Sequence, residues 1–194
     1  MSNILIINAG LPHEFAGGTL NASLVDFMQA NLKDKGHDVK TVVIHEGYDI
    51  EEQISLHTWA DYVILQSPVY WMGVPWSAKK YMDEVYTAAG NGQLYNDDGR
   101  SSAAPTENYG TGGTSGGKKY MLSLTFNAPV EAFGREEEYL FQGRSIDDLF
   151  YPVHMMYRFM DMHPLETFSC HDVVKNPKID EDFKKLEAHL GKYF

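Results

Sequence analysis

A chain of 194 residues with 43% hydrophobic residues is long enough for one domain with a substantial core. Its formal charge is −11, from 27 acidic against 16 basic side chains, and no basic cluster exceeds a pair such as Lys79-Lys80, Lys118-Lys119 or Lys184-Lys185. That balance argues against nucleic acid and anionic membrane surfaces as partners. A single cysteine, Cys170, excludes an internal disulfide and a cysteine-built zinc site, and its strand-like surroundings favour an inert buried thiol over a nucleophile. Met1-Ser2-Asn3 leads straight into Ile4-Leu5-Ile6-Ile7 with no signal-peptide flank, and no run reaches membrane-spanning length. A soluble, cytoplasmic protein without membrane insertion is expected.

Ile4 to Ile7 is a continuous aliphatic run between two asparagines, the pattern of a strand covered on both faces in a parallel sheet. A glycine-rich loop follows from Ala9 to Thr19. Leu20, Leu24, Phe27, Met28 and Leu32 then recur at helical spacing, with Gly36 placed as the C-terminal cap. Gly17 and Gly18 let backbone approach a ligand, and the free N–H groups of Thr19, Leu20 and Asn21 make an anion site with the helix dipole behind it. A plain connection capped by Thr19 uses the same residues, and the spacing leaves both readings open. It is neither G-x-G-x-x-G nor the P-loop pattern, so a nicotinamide dinucleotide fingerprint and a nucleotide triphosphatase are disfavoured.

Val39 to Ile44 forms a second strand, and Asp49 with Glu52 marks the start of a helix from Ile50 to Trp59. Tyr62 to Gln66, the third strand, runs into an aromatic loop and, past Pro75, a helix from Trp76 to Tyr86. Ligands in open parallel sheets bind outside the carboxyl ends of the strands. Tyr70, Trp71 and Trp76 there offer flat apolar surface to a planar heteroaromatic ligand, packing of strand on helix being their other use. Gly90 to Gly117 is a polar, glycine-rich stretch read as a surface excursion closing over a site, with disorder as its alternative. Tyr120 to Thr125 is the fourth strand, and Phe126-Asn127-Ala128-Pro129 extends from its carboxyl end.

Ser145 with Asp148 caps a helix whose apolar side carries Ile146, Leu149, Phe150, Val153, Tyr157 and Met160, kinked at Pro152. Met155, Met156, Met160 and Met162 belong to the core or a dimer interface. Leu165 to His171 is a fifth strand, and Phe183, Leu186 and Leu190 mark a terminal helix. The expected fold is a single α/β domain over residues 1–194, a flavodoxin-like doubly wound sheet of five parallel strands with helices on both faces.

Pro68-Val69-Tyr70-Trp71-Met72-Gly73-Val74-Pro75 resembles the P-x-x-W-x-G-x-P signature of the flavodoxin-like NAD(P)H:quinone oxidoreductases. Gly117 to Phe133, through Leu122-Ser123-Leu124-Thr125-Phe126-Asn127-Ala128-Pro129, is similar to the modulator of drug activity B branch. The likeness covers nearly the whole chain. It implies an FAD-dependent, NADPH-oxidising quinone reductase acting as a homodimer with its active site at the subunit interface and no metal. By position, Ala16, Gly17, Gly18, Thr19, Leu20, Asn21, Ala22 and Ser23 would hold the FAD pyrophosphate. Pro68, Val69, Tyr70, Trp71 and Met72 would line the isoalloxazine ring. Tyr109 would contact the flavin and act as hydrogen-bond donor to the acceptor, with Thr125, Phe126, Asn127 and Ala128 completing the site.

Two positions depart from the pattern. Ala16-Gly17-Gly18 stands where relatives often place a serine, which shifts phosphate binding onto backbone and Thr19. Phe126 stands where relatives can have Trp, which loses an indole N–H. No Tyr and His pair follows Asn127 as in the mammalian quinone reductases, leaving Tyr109 or His154 as substitutes, although His154 on a helix face reads more readily as structural. An FMN-dependent azo or nitro reductase of the same fold and a non-enzymatic flavin-binding electron carrier are the competing readings. Without an arginine cluster for a 2′-phosphate, the choice between NADPH and NADH and the identity of the quinone stay open.

Overall fold

The computed structural model describes residues 1–14 and 17–194; Ala16, one of the expected phosphate-loop residues, lies outside the described residues. The aliphatic runs become the middle of a parallel sheet: β1 (Asn3–Asn8), β2 (Asp38–Val43), β3 (Tyr62–Pro68), β4 (Lys119–Thr125), β5 (His163–Pro164) and β6 (Phe168–Cys170). Their order is β2-β1-β3-β4-β5, with β6 also paired to β4, and every pairing is parallel. Successive side chains alternate between two cores, as strand geometry requires. Leu5, Ile7, Val63, Leu65, Leu122 and Leu124 face one side. There they meet α2 (Ile50–Trp59), α3 (Trp76–Tyr81) and α5 (Tyr151–Phe159). Ile4, Ile6, Ile64 and Met121 face the other, under α1 (Thr19–Asp34) and α6 (Ile179–Tyr193).

Local signals in the sequence act where they stand. Glu52 N–H donates to Asp49 Oδ1 at 2.9 Å to start α2, and Ser145 and Asp148 form a reciprocal capping box at α4 (Ile146–Leu149). Pro152 enters at the first turn of α5, so α4 and α5 are separate helices meeting at Phe150 rather than one kinked helix. Gly36 takes φ +86° just beyond α1, a conformation that favours glycine. The helix from Trp76 continues through a π turn over Met82–Tyr86, which turns Met82 and Tyr86 inward.

Of the expected fifth strand, Leu165 to His171, only Phe168–Cys170 pairs as β6; a two-residue β5, His163–Pro164, comes before it, with Glu166 and Thr167 in the gap between them. Other partners claim those two residues. His189 Nε2 donates to the Glu166 carbonyl at 2.9 Å, and Thr167 Oγ1 donates to Asp147 Oδ1 at 2.7 Å. The excursion between α3 and β4 has regular anchors. Asn96 N–H donates to Gly112 O at 2.7 Å, Thr114 N–H to Leu94 O at 2.9 Å, and Ser115 N–H to Met160 O at 3.1 Å. Among the described residues no helix is long and apolar enough to cross a membrane.

Candidate functional site

The carboxyl ends of β1, β3, β4 and β6 are laced into one rim by hydrogen bonds between their loops. Ala9 N–H donates to Gln66 O at 2.8 Å and the Tyr70 hydroxyl to Leu11 O at 3.1 Å. Val69 N–H donates to Thr125 O at 3.0 Å, and Phe126 N–H to Cys170 O at 2.9 Å. The three loops found in the sequence therefore adjoin one another, as the switch-point geometry of an open sheet demands.

At the first loop, α1 opens from Gly18 with φ +75°, with no side-chain cap and no acidic residue in its first turn. Backbone donors at Thr19, Leu20 and Asn21 are thus the positive end of a sixteen-residue helix whose first turn carries no acidic side chain. Among the described residues a Cβ at Gly17 would meet nothing nearer than Thr19 Oγ1 at 3.7 Å. The Asn21 side chain turns inward. Its Oδ1 accepts from Gln66 Nε2 at 2.8 Å and Thr125 Oγ1 at 3.4 Å, while Ser123 Oγ donates to Gln66 Oε1 at 2.6 Å. This buried network fixes the start of α1 to β3 and β4 beneath the rim.

The second loop is a tight turn. Tyr70 and Gly73 exchange backbone hydrogen bonds of 2.9 and 3.1 Å, and between them Trp71 and Met72 hold φ of +48° and +67°. Left-handed backbone at two bulky residues is strained, and such strain concentrates at ligand sites. Trp71 is 97% exposed and Trp76 70% exposed, so neither ring packs β3 against α3. Tyr70 alone is half-buried, edge-on to His13 at 6.3 Å between ring centres.

From this turn a groove of about 670 Å3 runs along α3 and α5. Met72, Gly73 and Val74 line one end, Met82 and Tyr86 the floor, and Met155, Met156, Phe159, Tyr95 and Tyr109 the remainder. Tyr109 is exposed, edge-on to Phe159 at 6.0 Å, with the Arg100 guanidinium 5.5 Å from its ring centre. The structure thus brings Met72 and Tyr109 to one groove. Thr19 to Ser23 and Thr125 to Ala128 do not line it; they belong to the rim behind the turn. Phe126 is buried against Phe133 and Phe150, so its loop offers backbone rather than a ring face.

His171 was not singled out in the sequence. It stacks on Phe126 at 5.1 Å and 4°, donates from Nδ1 to Ala128 O at 3.2 Å, and accepts from Ser169 Oγ at Nε2 at 3.0 Å. Burial holds its pKa below the usual value, and the Ala128 carbonyl, which can only accept, fixes the tautomer. Its position at the carboxyl end of an edge strand was the available signal. His154 is elsewhere: it bonds Tyr120, at the amino end of β4, and so lies away from the rim. Cys170 is fully buried, and burial pushes its thiol up to about 12, as expected of an inert sulfur.

An uncapped helix start beside a strained, exposed aromatic turn fits a ligand that joins a phosphate to a planar ring system, as a flavin nucleotide does. Among the described residues no three His, Cys, Asp or Glu side chains could together hold a metal ion. The model of a family described by its flavodoxin-like fold matches residues 2–194. A Haemophilus influenzae protein named NADPH:quinone oxidoreductase MdaB is 46% identical over 192 residues, 99% of each chain. The general stress protein 14 of Treponema denticola, solved in complex with FMN, superposes with a TM-score of 0.72 at 16% identity over 99% of each chain. An azoreductase of Bacillus anthracis superposes at 0.70 with 14% identity over the full length of both.

Proposed function

The chain belongs to the family with the flavodoxin-like fold, and from that membership we propose a flavin-dependent NADPH:quinone oxidoreductase with FAD as its flavin. The observation that carries this reading is the rim itself, where an uncapped α1 meets the exposed Trp71 turn. The 46% identical Haemophilus protein supports the substrate assignment through its name.

Gly17, Gly18 and the N–H groups of Thr19, Leu20 and Asn21 would hold the pyrophosphate, with the Thr19 and Ser23 hydroxyls able to add donors. Pro68 to Met72 and Thr125 to Ala128 would seat the ring, their backbone held by the Val69 to Thr125 bond. A flavin held there would supply two-electron redox chemistry between NADPH and a quinone. The chain's own part is positioning and exclusion of water. The Trp71 turn and groove wall give apolar surface to nicotinamide and quinone in turn, and Tyr109 on the excursion donates a hydrogen bond to the acceptor oxygen. His171 holds the Ala128 carbonyl and so orients the third loop.

A homodimer and a cytoplasmic location complete the proposal. The apolar groove and the exposed Tyr139, Leu140 and Tyr151 beyond it give a second copy a surface to cover, which light scattering of the purified protein tests. The second reading, an FMN-dependent azoreductase, draws on the Treponema and Bacillus structures. Release of the cofactor and its chromatography separate the two. FAD with quinone turnover supports the proposal, whereas FMN with preferential azo-dye turnover supports the alternative.

A further inference from the structure

At the amino end of β4, away from the rim, three side chains form a relay that the proposed reaction does not use. The Tyr120 hydroxyl lies 2.7 Å from His154 Nδ1, and His154 Nε2 lies 3.2 Å from Asp147 Oδ1. A carboxylate only accepts, so Nε2 carries the hydrogen and donates to Asp147, and in the neutral ring Nδ1 is then the acceptor of the Tyr120 proton. Thr167 Oγ1 donates to the same Asp147 oxygen at 2.7 Å and fixes it. Burial pushes the Tyr120 hydroxyl above its usual range, so at neutral pH it stays protonated and aimed at a base.

Behind Tyr120 stands a column of rings. Tyr120 stacks on Tyr157 at 4.3 Å and 19°, and Tyr157 meets Tyr86 at 6.2 Å. Tyr157 is fully buried and its hydroxyl has no imidazole or carboxylate partner. Tyr86 lines the Met-rich groove, whereas Tyr120 lines a separate cavity of about 570 Å3 with Arg158 and His163. The three rings thus run from the groove through the core to the far side of α5. Oxidation of a phenol at neutral pH requires loss of its proton, and of these three rings Tyr120 is the one whose hydroxyl meets an imidazole; past Tyr86 the rings continue through Tyr81 to Tyr48, whose hydroxyl meets the Glu84 carboxylate, a weaker base.

We propose that Tyr120 is a redox-active tyrosine that traps one-electron oxidants of the small inorganic radical class, reached directly or through Tyr86 and Tyr157. The radical takes one electron and becomes its anion. Tyr120 loses that electron, its phenolic proton moves to His154 Nδ1, and a neutral phenoxyl radical remains beside an imidazolium paired with Asp147. A reductant of the thiol or ascorbate class returns one electron, and the proton moves back to the phenolic oxygen. No residue of the three loops takes part, so the assignment stands apart from the flavin proposal.

The test is pulse radiolysis of the protein as purified, with azide radical as oxidant, following the phenoxyl absorption and its decay. The wild type shows a slow-decaying fraction. Tyr120→Phe loses that fraction, His154→Gln shortens it, and Tyr139→Phe, at a 91% exposed ring, leaves it unchanged. Circular dichroism establishes that each variant is folded, and His154→Gln keeps Tyr120 and its stack in place should Tyr120→Phe fail to fold. A slow fraction that survives Tyr120→Phe, or that is unaltered in His154→Gln, overturns the proposal.

Discussion

Gln66 Nε2 donates to Asn21 Oδ1 at 2.8 Å, joining the middle of the sheet to the first turn of α1 across 45 positions of sequence. Both side chains are buried, and Ser123 Oγ is committed to the other end of the same amide. Gln66→Leu therefore leaves the Ser123 hydroxyl without its acceptor, and Asn21 Oδ1 keeps only its longer bond from Thr125 Oγ1 at 3.4 Å. The expected loss is about 1–3 kcal/mol for each group orphaned, read by urea denaturation, together with weaker flavin retention on dialysis. An unchanged midpoint would mean that the network does not hold α1.

Trp71 is a separate case, because its strain and its exposure point in opposite directions for stability and function. Removing the ring forfeits almost no packing, since it is 97% exposed, and glycine accepts φ +48° freely. Trp71→Gly should raise stability by about 1 kcal/mol. In the same variant the KM for quinone should rise several-fold, measured by steady-state kinetics. A variant that is both less stable and fully active would contradict the account of this turn.

Gly113 seats the excursion on the end of α5. A Cβ there would lie 2.4 Å from Asp161 N and from Met160 C, both backbone atoms that cannot move aside cheaply. Gly113→Ala should lift residues 90–117 off their anchor, and with them Tyr109. Limited proteolysis would then cut this segment faster than in the wild type, while fragments from the sheet stay protected.

His57 makes stability depend on pH in the acid range. It is buried, and its Nε2 lies 3.1 Å from Tyr81 Oη, which donates its own hydrogen to Gln53 Oε1 at 3.0 Å. The imidazole must then donate, and among the described residues its Nδ1 has no partner. Burial lowers the folded pKa from 6.5 to about 3. Below pH 6.5 the unfolded state takes up a proton that the folded state refuses, so stability falls with pH until about 3, by roughly 1.4 kcal/mol per pH unit. Equilibrium unfolding of wild type and His57→Gln across that range should show a steeper acid slope in the wild type.

The sheet was legible because its signals are local: continuous aliphatic runs for β1 and β3, Asp49 and Ser145 as caps, and Gly36 as a stop. Its fifth position was only half legible. Glu166 and Thr167 look like strand residues, but His189 and Asp147, distant in sequence, take them out of the ladder. The rim was legible as three separate loops, and the family resemblance assigned their roles. What could not be read was which side chains face a ligand. Trp71 and Phe126 are both large aromatics in loops, yet one is solvent-exposed and the other lies under His171, Phe133 and Phe150. That difference is set by tertiary partners and leaves no periodic trace.

The most direct test is an anaerobic titration of the freshly purified protein, followed by its visible absorption. The account predicts a yellow protein that bleaches on addition of NADPH and regains its colour on addition of a soluble quinone. A protein that remains colourless after incubation with FAD or FMN, or that is yellow and unmoved by NADPH, would contradict flavin-dependent quinone reduction at this rim.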